Sequence, residues 1–313
     1  MNFWIILLIV AACVLFIVLG IFYFLFCFAF VRRKNSAGDI DSPENNFLGQ
    51  YKETVRKGIS FADAQHKTQV AIKSYDNLTL VADYYKNGDS KNTIILFHGY
   101  RSAPKRDFSC AIEMYYKMGL NVLLVDQRSH GRSEGRLITY GVKERYDVKS
   151  WAEYVVNTFG GDVNIILDGL SMGATTVLLS TALQLPKNVK CIIADCGFSS
   201  PYEIIKSVSI KYYHVNSEIV MRILDLYCRL FGSFSIYNIS TVDAMKSNKI
   251  PIFFCHGKAD DFVPCYMSER AFEAAVCEKS IHIAENAGHG MSFLLETEVL
   301  TEKLKNFINT HIS

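Results

Sequence analysis

The amino-terminal part of the chain lacks charged side chains. Between Phe3 and Val31 no Asp, Glu, Lys, Arg or His occurs in 29 residues. As a helix this segment would be about 43 Å long, more than the ~30 Å hydrocarbon core of a bilayer. It also lacks the basic start, the short apolar region and the small-residue cleavage motif of a secretory signal peptide. We therefore predict that residues 1–31 form a transmembrane anchor rather than a cleaved signal.

No basic side chain precedes this span, whereas Arg32, Arg33 and Lys34 follow it directly. Because basic residues favour the cytoplasmic side of a membrane, the rest of the chain is expected in the cytoplasm. The prediction is a single-pass protein of the cell membrane.

Three further kinds of pattern are missing. The nine cysteines include two in the predicted anchor, and the other seven have no compact spacing typical of a disulfide framework. The formal net charge is only +2, and no basic run interleaved with aromatics suggests nucleic acid as a partner. No Cys, His and acidic residues have metal-ligand spacing. We expect no cofactor, no metal and no nucleic acid.

Polarity divides the rest of the chain. Residues 32–65 are mostly polar and predict a juxtamembrane linker, with a short helix around Asn46 to Lys57. Residues 66–313 alternate apolar strand-like runs with segments of helical potential, after a hairpin-like start around Asp76 and Asn77. This alternation predicts one α/β domain, with a mostly parallel, doubly wound sheet of about eight strands and an antiparallel beginning. The predicted strands after the hairpin lie near Thr93 to Phe97, Val122 to Val125, Val163 to Leu167, Cys191 to Ala194, Ile252 to Cys255 and Ser280 to Ala284.

The stretch Gly169-Leu170-Ser171-Met172-Gly173 joins one of these strands to an apolar helical segment. Glycines two residues before and two after the serine remove side chains that would clash in so tight a reversal. The G-x-S-x-G pattern between a strand and a helix is typical of a nucleophile elbow. The alternative is a surface turn in which Ser171 only caps the helix.

A serine hydroxyl is a weak nucleophile, so it needs a base, and the base needs a partner that fixes its tautomer. Both residue types follow later strands. Asp260 and Asp261 come after the strand that ends near Cys255, and His289 lies between two glycines after the last strand. The chain order is Ser171, Asp260, His289.

Five motifs in this order make residues 67–313 resemble the α/β-hydrolase superfamily, in its serine-nucleophile esterase, lipase and serine-aminopeptidase-like branch. The motifs are FHGYRS, DQRSHGRSEG, GLSMG, HGKADDFVP and AGHG. The second motif and the residues after it are similar to bacterial members that carry an amino-terminal membrane anchor.

The resemblance implies roles for individual residues. Asp260 matches the family's acid position, whereas Asp261 is expected to face solvent or to cap a helix. The backbone N–H groups of Tyr100 and Met172 match the positions that form the family's oxyanion hole. Two other aspartates end strands: Asp126 resembles a structural residue, and Asp195 is a reserve candidate for the acid. Asp168 departs from the family pattern, and nothing in the sequence accounts for it.

Residues 199–248 exceed what the sheet requires and are predicted to form a helical lid. Ser217 is expected to cap a helix whose apolar face includes Tyr227, and we predict that Tyr227 and Phe293 bind substrate. The same apolar stripe is equally explained by packing onto the core.

Together these features predict a serine hydrolase that cleaves a small-molecule carboxylic ester through an acyl-enzyme. A peptidase, a thioesterase or an acyltransferase would use the same residues. The alternative outside enzymology is an anchored module that keeps the fold only to bind a partner.

Overall fold

The computed structural model describes residues 3–33 and 37–312. Lys34, the last of the three basic residues behind the predicted orientation, lies outside the described residues. Within the described ranges the chain forms eight strands and twelve α-helices. The strands are β1 Thr68–Lys73, β2 Thr79–Tyr85, β3 Asn92–Phe97, β4 Asn121–Asp126, β5 Asn164–Leu170, β6 Val189–Asp195, β7 Ile252–Gly257 and β8 Lys279–Ala284.

The helices lie before, between and after these strands. They are α1 Phe3–Phe30, α2 Lys52–Ala64, α3 Pro104–Asp107, α4 Ser109–Lys117, α5 Glu144–Phe159, α6 Met172–Ser180, α7 Pro201–Tyr213, α8 Glu218–Gly232, α9 Thr241–Met245, α10 Tyr266–Ala274, α11 Ser292–Leu295 and α12 Thr297–Ile312, and a 3₁₀ helix spans Pro43–Tyr51.

The eight strands form one sheet in the order β1-β2-β4-β3-β5-β6-β7-β8. β2 pairs antiparallel with both β1 and β4, and every pairing from β4 to β8 is parallel. The predicted mostly parallel sheet with an antiparallel start is therefore confirmed. All parallel strands end at one edge of the sheet, which is where such folds place their functional side chains.

Both faces of the sheet are covered, which explains why its strands are apolar without alternation. One core contains Trp151 of α5 and Val177 of α6. The core on the opposite face contains Ile112 of α4 and Leu304 of α12.

The described part of the predicted linker folds onto the domain instead of forming a free tether. Val55 and Ala62 of α2 are buried. A Cβ added to Gly58 would lie 2.0 Å from the carbonyl oxygen of Ser109, so this glycine lets α2 pack directly against α4. Three small or apolar residues at helical spacing are enough to dock an otherwise polar helix. Because the segment as a whole is polar, this contact was not predicted from the sequence.

Helix α1 is long and apolar enough to cross a membrane, and its most apolar window is not buried in the protein. Its carboxyl-terminal part has a different environment. Phe26 and Phe30 are buried, with ring centroids 5.9 Å from Phe231 and 5.3 Å from Phe234, respectively. One end of α1 is thus packed into the domain, against α8 and the residues that follow it.

Helices α7, α8 and α9 lie between β6 and β7, within the stretch predicted as a lid. Ser217 accepts a hydrogen bond from the backbone N–H of Val220 at 3.4 Å and caps α8 as the sequence predicts. The insertion therefore covers the carboxyl edge of the sheet beside α1.

Candidate active site

Ser171 stands at the corner between β5 and α6. Its backbone has φ 56° and ψ −116°, a conformation that residues with a side chain rarely adopt. The Ser171 N–H donates to the carbonyl of Asp195 at 2.8 Å, which ties the corner to the next strand. The strained turn holds the hydroxyl above the end of the sheet, at the amino terminus of a helix.

The two flanking glycines are required by close backbone approach. A Cβ at Gly173 would lie 1.7 Å from the carbonyl oxygen of Phe97, and one at Gly169 would lie 2.3 Å from the backbone of Gly173. Real side chains cannot occupy such space, so only glycine allows β5, α6 and the end of β3 to meet here. The local sequence therefore accounts for the sharp turn.

The side chains of Ser171, His289 and Asp260 lie in one hydrogen-bonded chain. His289 Nε2 is 2.9 Å from Ser171 Oγ, and His289 Nδ1 is 2.6 Å from Asp260 Oδ2. Asp260 follows β7 and His289 follows β8, so neighbouring strands carry the two groups to the same edge. This arrangement allows His289 to accept a proton from the serine while Asp260 orients the imidazole.

Asp260 is held as a carboxylate. Its side chain is fully buried, and burial alone would raise its pKa, but hydrogen bonds from His256 and His289 lower that pKa well below its usual range. The Oδ1 atom accepts the backbone N–H groups of Phe262 and Val263 at 2.9 and 2.8 Å. The acid is therefore fixed in both charge and position.

The loop after β3 lies against Ser171 on another side. A Cβ on Gly99 would be 3.5 Å from the Cβ of Ser171. The Gly99 N–H donates to Asp107 Oδ2 at 2.8 Å, which fixes the loop. In the described ranges neither the Tyr100 N–H nor the Met172 N–H has a hydrogen-bond partner. Tyr100 directly follows Gly99, which lies beside Ser171, and Met172 directly follows Ser171. An oxyanion hole requires two such N–H groups next to the nucleophile.

Two cavities meet at Ser171. The larger, about 550 Å³, lies toward α4, α12 and the 3₁₀ helix and is lined by His289 and Phe293. The smaller, about 310 Å³, lies between the lid helices and α1. Both volumes fall in the range of small-molecule sites.

The two side chains predicted to bind substrate have different positions. Phe293 lines the larger cavity. Tyr227 lines neither cavity: it is buried against α1, and its hydroxyl donates to the carbonyl of Leu19 at 2.8 Å. The prediction for Tyr227 is wrong, because the apolar stripe of α8 packs on α1 at this position rather than over the serine.

Asp168 has a structural partner that the sequence did not indicate. The hydroxyl of Tyr115 donates to its Oδ2 at 2.7 Å. Burial raises the pKa of Asp168 to about 7, against the effect of the Tyr115 hydrogen bond and with a contribution from the charge of Asp195. Burial likewise raises the pKa of Asp195. Both carboxyl groups line the larger cavity.

Two other aspartates considered in the sequence, Asp126 and Asp261, have different partners. Asp126 accepts the guanidinium of Arg132 at 2.7 Å. Asp261 is exposed and pairs with Lys211 at 3.2 Å. Asp260, not these two, contacts His289.

One group of side chains has the proximity of metal ligands. Donor atoms of Cys196, Asp260 and His289 lie within 4.8 Å of one another. Burial holds the pKa of the Cys196 thiol well above its usual range. Asp260 and His289 are already hydrogen-bonded to each other, and the arrangement fits an acid-base pair better than a metal centre.

Sequence reasoning missed two contributors to the cavities. Leu25, Phe28 and Ala29 of α1 line the smaller cavity, and Phe47 and Leu48 of the 3₁₀ helix line the larger one. The apolar character of these residues was visible. Their contacts with the domain depend on tertiary packing that no local pattern records.

Comparisons with known proteins agree with the fold. The family described as "Serine aminopeptidase, S33" matches residues 88–224. The uncharacterized protein YqkD of Bacillus subtilis is 27% identical over 247 residues, which are 79% of this chain and 81% of YqkD. The protein bem46 of Schizosaccharomyces pombe is 23% identical over 236 residues, 70% of this chain and 73% of that protein.

Solved structures give the same result. The esterase Pf2001 of Pyrococcus furiosus superimposes with a TM-score of 0.65 at 24% identity, covering 80% of this chain and 94% of the esterase. Est1E of Butyrivibrio proteoclasticus, solved with ferulic acid bound, gives 0.61 at 19% identity, covering 78% and 99%. At these identities the likeness establishes the fold.

Proposed function

Since this chain has the α/β-hydrolase fold, we propose that it is a membrane-anchored serine hydrolase of carboxylic esters. The observation that carries the proposal is the pair of contacts of 2.9 and 2.6 Å that join Ser171 to His289 and His289 to Asp260. The buried carboxylate and the strained elbow support it.

In the proposed reaction the Ser171 oxygen attacks the ester carbonyl carbon as its proton moves to His289 Nε2. The resulting oxyanion is stabilised by the N–H groups of Tyr100 and Met172. When the bond to the alkoxy oxygen breaks, His289 returns the proton to the leaving alcohol. Water, deprotonated by His289, then attacks the acyl-serine. The bond between the carbonyl carbon and Ser171 Oγ breaks, the acid leaves, and His289 returns its proton to Ser171.

A fluorophosphonate probe tests the nucleophile. We expect a covalent adduct on Ser171 of the folded protein, and neither an adduct nor ester hydrolysis in Ser171→Ala. Ser129→Ala is a matched control, because Ser129 is buried in a different loop and should not change labelling. Absence of the adduct from the folded protein would reject the enzyme in favour of an anchored binding module.

Peptide hydrolysis is a second candidate, favoured by two observations. The matching family is described as a serine aminopeptidase, and the larger cavity carries two carboxyl groups, Asp168 and Asp195, that could bind an amino group. The raised pKa values of both groups weaken that binding, because the neutral acid does not pair with a cation. A panel of amino-acid anilides and matched esters separates the two activities.

The anchor and its sidedness belong to the same proposal. Helix α1 supports it by length and composition, and Arg32 and Arg33 follow it. Lys305 is exposed on α12, so Lys305→Cys provides a surface thiol. An impermeant maleimide should label this thiol only after intact cells are permeabilised, whereas labelling on intact cells places the domain outside.

A further inference from the structure

The carboxyl-terminal end of α1 is bonded to the loops around Ser171. The last carbonyl groups of a helix have no partner within it. Here the Ala29 carbonyl accepts the hydroxyl of Tyr100 at 2.7 Å, and the Phe30 carbonyl accepts the N–H of Ile138 at 2.7 Å. Arg101 donates to the Phe28 carbonyl at 2.7 Å. Tyr100 and Arg101 belong to the loop that contacts Ser171, so α1 holds a defined position beside the nucleophile.

The smaller cavity is bounded by this end of α1. It reaches from Ser171 to the lid and is lined mostly by apolar side chains, among them Leu25 and Phe28 of α1, Val208 of α7, and Met221 and Leu224 of α8. Neither Asp nor Glu lines it among the described residues. Arg101 also lines the cavity, and its guanidinium donates to the carbonyl groups of Phe28 and Val31. A cavity with this mostly apolar lining is suited to a hydrocarbon group.

The outer surface of α8 continues the apolar surface of α1. Ile219, Leu226 and Leu230 share one face of α8 and are 72%, 50% and 66% exposed. Arg222 and Arg229 are exposed along one side of that face, where they pair with Glu218 and Asp225. An exposed apolar face with charged side chains along one border is suited to contact with a membrane.

The length of α1 indicates how deep the smaller cavity and α8 lie relative to the hydrocarbon core of the bilayer. Its 28 residues span about 42 Å, about 12 Å more than the hydrocarbon core, which corresponds to roughly the last eight residues. Leu25, Phe28 and Ala29 therefore lie at the level of the lipid headgroups. The Tyr227 hydroxyl bonds to the carbonyl of Leu19, which lies about 9 Å along α1 from Leu25 toward the hydrocarbon core, so α8 packs along the part of α1 that enters the bilayer.

We propose that the substrate is a long-chain ester resident in the membrane, and that its acyl chain enters the smaller cavity sideways from the bilayer between α1 and the lid. The inference rests on the proposed function, because Ser171 must cleave the ester bond. The acyl chain occupies the cavity lined by Leu25, while the alcohol part occupies the larger cavity. The anchor is thus one wall of the binding site as well as a tether.

The test uses the full-length protein in phosphatidylcholine vesicles with two fluorogenic esters, 4-methylumbelliferyl palmitate in the bilayer and the acetate in water. Leu25→Trp fills the cavity from the α1 side. Leu15→Trp is the matched control, because Leu15 is exposed on the same helix and lines neither cavity. We expect the ratio of palmitate to acetate hydrolysis to fall at least tenfold in Leu25→Trp and to change less than twofold in Leu15→Trp.

A second measurement is independent of any variant. Palmitate ester placed in the vesicles that contain the enzyme should be cleaved at least tenfold faster than the same ester in separate vesicles. Equal rates, or an unchanged ratio in Leu25→Trp, would overturn entry from the bilayer. If the wild type cleaves neither ester in a Ser171-dependent way, the proposed function itself fails, and the two failures are thereby distinguished.

Discussion

Replacement of Asp260 by Asn tests the acid of the site most directly. The carboxylate contacts His289 at 2.6 Å, and its side chain is fully buried. Once His289 has accepted the serine proton, it carries a positive charge next to this negative one. Two opposite charges about 4 Å apart attract by about 4 kcal/mol at an effective dielectric constant of about 20. Because about 1.4 kcal/mol is a tenfold change in rate, the loss amounts to about 10³-fold.

The amide also disturbs the tautomer of the imidazole, because its NH₂ group cannot accept the Nδ1 proton. The total loss in kcat/KM is therefore expected to be about 10³- to 10⁴-fold. The carbonyl oxygen of Asn can still accept the N–H groups of Phe262 and Val263, so the loop should keep its structure. Thermal unfolding checks that point.

Asp261→Asn is the matched control for this measurement. The two aspartates are adjacent, but Asp261 is exposed and pairs only with Lys211 among the described residues. Its replacement should change kcat/KM for a short p-nitrophenyl ester less than threefold. If Asp260→Asn keeps more than a tenth of the wild-type activity, the reasoning is refuted and Asp195 becomes the acid to examine.

Two further predictions concern stability. Burial raises the pKa of Asp168 from an ordinary value of about 3.8 to about 7, so ionisation of the unfolded chain increasingly favours unfolding as pH rises from about 4 to 7. Asp168→Asn, which can still accept the Tyr115 hydroxyl, should therefore stabilise the protein by up to about 4 kcal/mol above pH 7 and very little at pH 4, as followed by denaturant unfolding; a gain independent of pH would contradict this. Gly173→Ala should lose several kcal/mol of stability because its Cβ would meet the Phe97 carbonyl, whereas Gly161→Ala, with open space around it, should melt within about 2 °C of the wild type. Equal melting temperatures for the two variants would show that the elbow can relax.

Local patterns predicted the parts of this fold that local physics determines. The elbow depends on two glycines within five residues, and the sheet on continuous apolar runs, so both were visible in the sequence. The edge at which Asp260 and His289 meet follows from parallel strand order, and the family resemblance selected Asp260 from its neighbour.

The errors concern contacts between distant segments. The stripe on α8 that contains Tyr227 predicts an apolar partner, but only tertiary packing decides whether that partner is substrate or α1. Likewise, the role of Asp168 could not be predicted from the sequence, because its hydrogen-bond partner Tyr115 is 53 positions away. The folding of residues 37–64 onto the domain has the same origin.

The position of α1 leads to a last prediction, on what this helix contributes to the folded domain. Phe26 and Phe30 are buried in the domain, and each buried aromatic side chain stabilises by about 1.5–3 kcal/mol. Without α1 the hydroxyl groups of Tyr100 and Tyr140 also lose the Ala29 carbonyl.

Deletion of residues 1–31 should therefore destabilise the domain by about 3–6 kcal/mol and slow hydrolysis even of a short soluble ester, because Tyr100 belongs to the loop in which we propose an oxyanion donor. Deletion of residues 1–18 is the control, since it removes most of the exposed part of α1 and keeps both Leu19, which accepts the Tyr227 hydroxyl, and the buried turns. Melting temperature and kcat, both measured in the same detergent, should change for the longer deletion and remain near the full-length values for the shorter one. If both deletions behave like the full chain, α1 is only a tether and the packing of Phe26 and Phe30 contributes nothing to the site.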